Sequence, residues 1–140
     1  MLKLKILSIG KTKESWLEEA LGEYAKRLKS HMMIEWVWAK DNSQLIEYAN
    51  KESTVICLDP IGKLLTSEQF AVFFDQLWEK GGSRLTVVIG GADGLPNEFK
   101  QKYPLISLSP LTFTHQITRL ILIEQIYRSI EIKKGSNYHK

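Results

Sequence analysis

The chain has 140 residues, 44% hydrophobic and 25% charged, with a formal net charge of +3. These values suit one domain, residues 1–140, with one core, and they exclude a disordered chain. No apolar run reaches the roughly 18 residues of a membrane-spanning helix, and the single cysteine, Cys57, cannot form an internal disulfide, which fits a reducing cytoplasm.

Leu2–Ile9 alternates apolar and Lys/Ser residues before Gly10 and predicts a strand; it lacks the charged and apolar regions of a signal peptide. Ser15-Trp16-Leu17-Glu18 has capping-box spacing, and Leu17, Ala20, Leu21, Tyr24, Ala25 and Leu28 then mark a helical face. Met33–Ala39 predicts a strand, Asn42–Asn50 a short helix, and Thr54–Leu58 a buried strand that Asp59-Pro60 breaks. Cys57 in that run reads as an inert buried thiol. Thr66-Ser67-Glu68-Gln69 offers a second capping box, and the helix after it ends at Gly81-Gly82. Leu85–Ile89 is a continuous apolar, β-branched run, as a strand covered on both faces requires. Pro96 opens a short helix, Leu105–Leu108 is a further strand, and Gln116–Lys133 is the longest helix, apolar nearly all round. Strands alternating with helices predict an α/β fold with a mainly parallel sheet and helices on both faces. A final helix so apolar suggests a homodimer built on it.

From Lys100 to Lys140, seven Lys/Arg stand against two Asp/Glu, which points to an anionic partner on the C-terminal side. Ligands of open α/β sheets bind beyond the carboxyl ends of strands. Two loops lie there: Gly90-Gly91-Ala92-Asp93-Gly94 and Ser109–Thr114. The first is not a dinucleotide fingerprint, because its glycine spacing differs and no acidic residue follows about twenty positions later. Backbone groups of the second suit an adenine, although Ser109, Thr112 and Thr114 also suit helix capping, Thr114 above all. His115 and Arg119 share a helix face, and Glu124 and Arg128 are spaced for an ion pair. His31, His115 and His139 have no metal spacing, and no hydrolytic constellation is present. The chain ends on Tyr138-His139-Lys140, an unusual amount of chemistry for a terminus.

Val87–Gly94, Leu108-Ser109-Pro110-Leu111-Thr112-Phe113-Thr114-His115, the helix from Arg119 to Arg128 and the tail Gly135–Lys140 together resemble the RlmH family. Ile6–Gly10, Trp16–Leu28 and Leu58-Asp59-Pro60-Ile61-Gly62-Lys63 resemble the same family, so the likeness covers most of the chain. These are SPOUT-class methyltransferases of pseudouridine in large-subunit (23S) ribosomal RNA. The resemblance implies a C-terminal trefoil knot, a homodimer, a bent S-adenosylmethionine and methylation at N3 of a pseudouridine, on ribosomal RNA within the ribosome, with no metal. By position it puts the cofactor against Leu58, Gly90, Leu108, Ser109, Pro110, Leu111, Thr112 and Phe113. His115, Arg119, Tyr138, His139 and Lys140 would then face the RNA or the target base. The N3 proton must leave, and His139 and His115 are both candidates to receive it, while Tyr138 equally suits base stacking. The chain departs from the family pattern at Thr114, where proline is usual, and in a shorter stretch between Trp38 and Thr54. A catalytically silent RNA-binding protein of the same fold is the alternative.

Overall fold

A computed structural model describes residues 1–140. Ten elements follow in the order β1 (Leu2–Ile9), α1 (Ser15–Leu28), β2 (Met32–Ala39), α2 (Asn42–Ala49), β3 (Val55–Leu64), α3 (Ser67–Lys80), β4 (Arg84–Ile89), α4 (Asn97–Lys102), β5 (Leu105–Ser107) and α5 (His115–Lys134). The five strands form one sheet in the order β2-β1-β4-β3-β5, and every pairing is parallel. The alternation read from the chain is therefore an α/β fold.

The strand period of two sorts side chains between two cores. Leu85, Val87 and Ile89 of β4 join Leu4 and Ile6 under α1, α3 and α5, while Val88 faces Leu7, Leu45, Ala49 and Phe99 under α2 and α4. Helices thus cover both faces, and every residue of β4 after Arg84 is buried. Cys57 is buried in the second core, and desolvation pushes its thiol up to about 12, so it is inert as a nucleophile.

Two local expectations differ from the structure. Glu14, with extended backbone, is the N-cap of α1 and makes no side-chain cap, so Ser15 is already helical. Asp59-Pro60 interrupts β3 without ending it. The ladder pairs Leu58 with Ile106, then Lys63 with the same Ile106, so residues 59–62 loop out. Pro60 has no N–H to give to a ladder, and the Ile61 N–H donates to Asp59 Oδ1 at 3.0 Å. A Cβ on Gly62 would lie 2.6 Å from the Leu105 carbonyl carbon, so only glycine lets the looped segment rest on β5. The Thr66–Gln69 capping box forms as read, with both reciprocal bonds.

The long helix α5 packs against both α1 and α3 of its own chain. Much of its apolar surface is therefore satisfied without a partner. Ile117 and Ile121 remain half-exposed on its outer side.

Candidate active site

The carboxyl ends of β3, β4 and β5 open into one cleft, the position expected for a ligand of a parallel sheet. Leu58 and Asp59 close one wall. The loop after β4 supplies Gly90, Gly91 and Gly94, and the loop after β5 supplies Leu108, Ser109, Leu111, Thr112 and Phe113. His115 and Thr118, from the first turn of α5, form the remaining edge.

Both loops are built by short-range hydrogen bonds. Gly91 and Gly94 form an isolated bridge, with the Gly94 N–H donating to Gly91 O at 3.0 Å and Gly94 at φ +82°. A Cβ on Gly90 would stand 2.8 Å from the backbone of Gly94 and Leu95. The glycine is required first by its own loop, and the ligand-facing wall follows from that. In the second loop, Ser107 Oγ donates to Ser109 O at 2.9 Å, and Ser109 Oγ accepts from the Leu111 N–H at 3.0 Å. These bonds leave Leu111 69% exposed on the rim. Thr114 Oγ1 caps α5 by accepting from the Ile117 N–H at 3.2 Å.

The lining contains no lysine or arginine. A dinucleotide's pyrophosphate would find no side-chain cation there. Apolar walls and loop backbone suit instead a nucleoside without phosphates; the buried carboxylate of Asp59 is already engaged by the Ile61 N–H and by Lys100 at 3.8 Å. The residues present thus fit S-adenosylmethionine, with its adenine, ribose and sulfonium. The cavity volume is about 160 Å³, below the roughly 300–1,000 Å³ of pockets that enclose a ligand, so the cleft leaves part of such a molecule uncovered.

The remaining site candidates lie in three places. Of the eight cofactor positions, all but Pro110 line the cleft, and His115 lines it too. Arg119 does not. It is fully buried, and its guanidinium donates to Ser8 Oγ, Ile9 O, Gly10 O, Thr12 Oγ1 and Gln116 Oε1 at 2.7–3.0 Å. It also lies 4.6 Å from the centre of the Trp38 ring. Every acceptor is neutral, and desolvation brings its pKa down to about 10. It ties the end of β1 and the following loop to α5.

Tyr138 and His139 lie on the outer face of α5. Gly135, at φ +71°, ends the helix in a Schellman turn, its N–H donating to Ile132 O and that of Ser136 to Glu131 O. The turn folds the tail back on its own helix. Tyr138 Oη donates to Glu124 Oε2 at 3.0 Å, and its ring meets Tyr127 edge-on at 4.8 Å. Arg128 bonds both Glu124 oxygens, at 3.1 and 3.2 Å, and also His139 Nδ1 at 3.0 Å. A guanidinium only donates, so Nδ1 accepts and the proton sits on Nε2. His139 Nε2 then donates to Glu68 as a neutral imidazole, and the contact is a hydrogen bond rather than an ion pair. That bond holds the Glu68 carboxyl below its ordinary range. The Glu124–Arg128 spacing announced their pairing, whereas nothing local announced Tyr138 and His139 as its partners.

His115 has a fixed tautomer as well. Gln116 Oε1 accepts from Arg119, which orients the amide, so Gln116 Nε2 donates to Lys11 O and faces His115 Nε2 at 3.4 Å. The imidazole Nε2 is thus the acceptor. Desolvation first, then Arg119 and Lys13, lowers the His115 pKa. Asp59, Gly91, Gly94 and Thr118 also line the cleft but were not among the residues assigned from sequence. The Leu58-Asp59-Pro60 motif was the available signal for the first.

A family profile described as "Predicted SPOUT methyltransferase" matches residues 2–139. A Protochlamydia amoebophila protein named ribosomal RNA large subunit methyltransferase H is 70% identical over the full length of both chains. A Pelobacter propionicus protein of the same name is 34% identical over 99% of each.

The chain belongs to the SPOUT methyltransferases, in the family of ribosomal RNA large subunit methyltransferase H.

Two solved structures share the fold at low identity. A probable methylase family protein from Haemophilus influenzae is 14% identical, covers 99% of this chain and 70% of its own, and superposes with a TM-score of 0.56. A putative methyltransferase from Legionella pneumophila, solved with its cofactor SAM, is 12% identical, covers 92% and 66%, and gives 0.52.

Proposed function

We propose that this SPOUT methyltransferase transfers the methyl group of S-adenosylmethionine to N3 of a pseudouridine in large-subunit ribosomal RNA. The observation that carries the reading is full-length 70% identity to a protein named for that RNA, joined to a cleft free of cationic side chains. Leu58, Gly90 and the Leu108–Phe113 loop would hold the cofactor. When bound, the cofactor supplies a methyl group on a sulfonium that needs no further activation. The chain's own task is alignment and proton removal. His115 is the only imidazole lining the cleft, and its Nε2 lone pair is engaged only by the long 3.4 Å contact from Gln116, which an incoming N3–H would replace. We assign it the N3 proton. Incubation of the protein with labelled S-adenosylmethionine and large ribosomal subunits lacking the mark, followed by nucleoside mass spectrometry, tests the reading. An unlabelled RNA, or label on another base, rejects it.

The sign of the pH dependence follows from His115. A depressed pKa keeps the imidazole neutral at pH values where an ordinary histidine, near about 6.5, begins to protonate. The acid limb of kcat should therefore turn below that value. His115→Gln should lower kcat about 10²-fold, the lower end of general-base effects, and erase the limb. A limb that survives the substitution assigns the proton to another group.

The assembly belongs to the same proposal. The cleft is incompletely walled, Leu111 projects from its rim, and Ile117 and Ile121 are half-exposed beside it. A second copy seated there would cover all three. Sedimentation at micromolar concentration should report twice 16.1 kDa, and a clean monomer rejects the dimer. The trefoil knot, the cytoplasmic setting and a single domain complete the reading. Support for the knot is the position of β5 outside β3, followed by return of α5 to pack on α1 and α3.

A further inference from the structure

The loop between β1 and α1, Gly10 to Glu14, is short and exposed, yet it is held with unusual rigour. Arg119 bonds Gly10 O at 2.7 Å and Thr12 Oγ1 at 3.0 Å, Gln116 bonds Lys11 O at 3.3 Å, and the Gly10 N–H bonds Ala39 O at 2.9 Å. All of this fixes backbone and a hydroxyl. The lysine side chains it positions are left free. Lys11 and Lys13 are exposed and make no ion pair, and neither does Lys40, which follows Ala39 at the adjoining end of β2. Trp16, in the first turn of α1, is 50% exposed. Beneath the loop lies the fully buried, carboxylate-free Arg119 cation. The loop sits beside the cleft, because the Gln116 amide that bonds Lys11 O at 3.3 Å also meets the cleft-lining His115 at 3.4 Å.

We infer that Lys11, Lys13 and Lys40, with Trp16 as a stacking platform, form a docking surface for single-stranded RNA flanking the methylated base. The inference rests on the proposed RNA substrate and names where on this chain that RNA is gripped. Charge decides the partner. Three unpaired ammonium groups over a buried guanidinium outnumber the exposed carboxylates of Glu14 and Asp41 beside them and favour a polyanion, and the exposed Trp16 indole, three residues beyond Lys13, offers a face to any unstacked base. A loop pinned from below presents those cations without ordering them at the moment of binding. The three lysines would contact phosphates and contribute affinity. The cleft would keep the choice of base.

Binding of purified large-subunit ribosomal RNA, measured at several salt concentrations, tests this apart from catalysis. Lys11→Ala/Lys13→Ala should weaken binding about tenfold and reduce the slope of log K against log salt by about 1–2, as loss of two phosphate contacts requires. KM for ribosomal subunits should rise similarly while S-adenosylmethionine affinity holds. Trp16→Ala should weaken binding with the salt slope unchanged, and sedimentation should be unaltered. Lys26→Ala/Lys29→Ala, at the far end of α1, is the charge-matched control and should change nothing. Equal losses in the control, unchanged binding in the loop variant, or no RNA binding by the parent protein each overturn the inference. Loop-dependent RNA binding without methyl transfer by the parent protein would sustain it while rejecting the proposed reaction.

Discussion

Gly90→Val should abolish measurable S-adenosylmethionine binding. Even one added carbon at this position stands 2.8 Å from the backbone of Gly94 and Leu95, closer than real Cβ atoms come to main chain. Valine adds two more methyl groups. The obstacle is main chain, which cannot rotate aside as a side chain would, so the turn from Gly90 to Leu95 must move. Overpacking of this kind costs about 1–3 kcal/mol, and the displaced turn is itself a wall of the cleft. Even if only that strain reached the cofactor, affinity would fall roughly 10–100-fold, at about 1.4 kcal/mol per factor of ten. Loss of the wall takes it further. Gly90→Ala should show the same effect in weaker form, and Gly94→Ala should follow from the strain of φ +82°. Calorimetric titration of the three proteins checks the series, with circular dichroism as the measure of folding. Valine at position 90 with unchanged affinity would remove the cofactor from this cleft.

Deleting Tyr138–Lys140 should eliminate methyl transfer to ribosomes while leaving cofactor affinity intact. The tail is not loose. Tyr138 and His139 are held by Glu124, Arg128, Tyr127 and Glu68, so the truncated chain should lose a few degrees of melting temperature; the aromatic pair alone is worth about 0.5–1.5 kcal/mol. Those contacts hold the tail on the outer face of α5 in its own chain. To meet a target base, it must exchange them for RNA or for a neighbouring subunit, and Gly135 is the joint at which it would swing. A mixture of the truncated chain with Gly90→Val should recover part of the activity, because one cleft of the mixed dimer has both a sound loop and a partner's tail. No recovery with mixed dimers confirmed would place the tail's action within its own chain. Full activity of the truncation alone would remove the tail from the reaction.

The order and kind of all ten elements were readable from period and punctuation, because those signals are local. The failures were positions whose fate depends on distant chain. Asp59-Pro60 looked terminal because proline cannot donate to a ladder, but β5 resumes the pairing at Lys63 once residues 59–62 have looped out. Arg119 was expected, with His115, to face the RNA or the target base. Its partners Ser8 and Gly10 lie more than a hundred positions away, and only the packed sheet brings them within bonding distance. Gly90 lines the cleft where the sequence placed it, but its close contact with the backbone of Gly94 was not readable, because that depends on how the loop turns back on itself. The cleft was legible because its loops are contiguous in sequence, whereas the tail's resting place was not, because it depends on a fold-back across α5 and on Glu68 of α3.

The Arg119 contacts also constrain when the molecule can form. The carbonyls of Ile9 and Gly10 and the hydroxyl of Ser8 are all occupied by a side chain from the last helix. As the polypeptide emerges during synthesis, β1 can pair with β2 and β4 well before these carbonyls and the Ser8 hydroxyl meet their guanidinium, which lies more than a hundred residues further on. Contacts so far apart in sequence are slow to close and reward the chain only at the end. A fragment that lacks α5 should therefore remain dynamic at this edge.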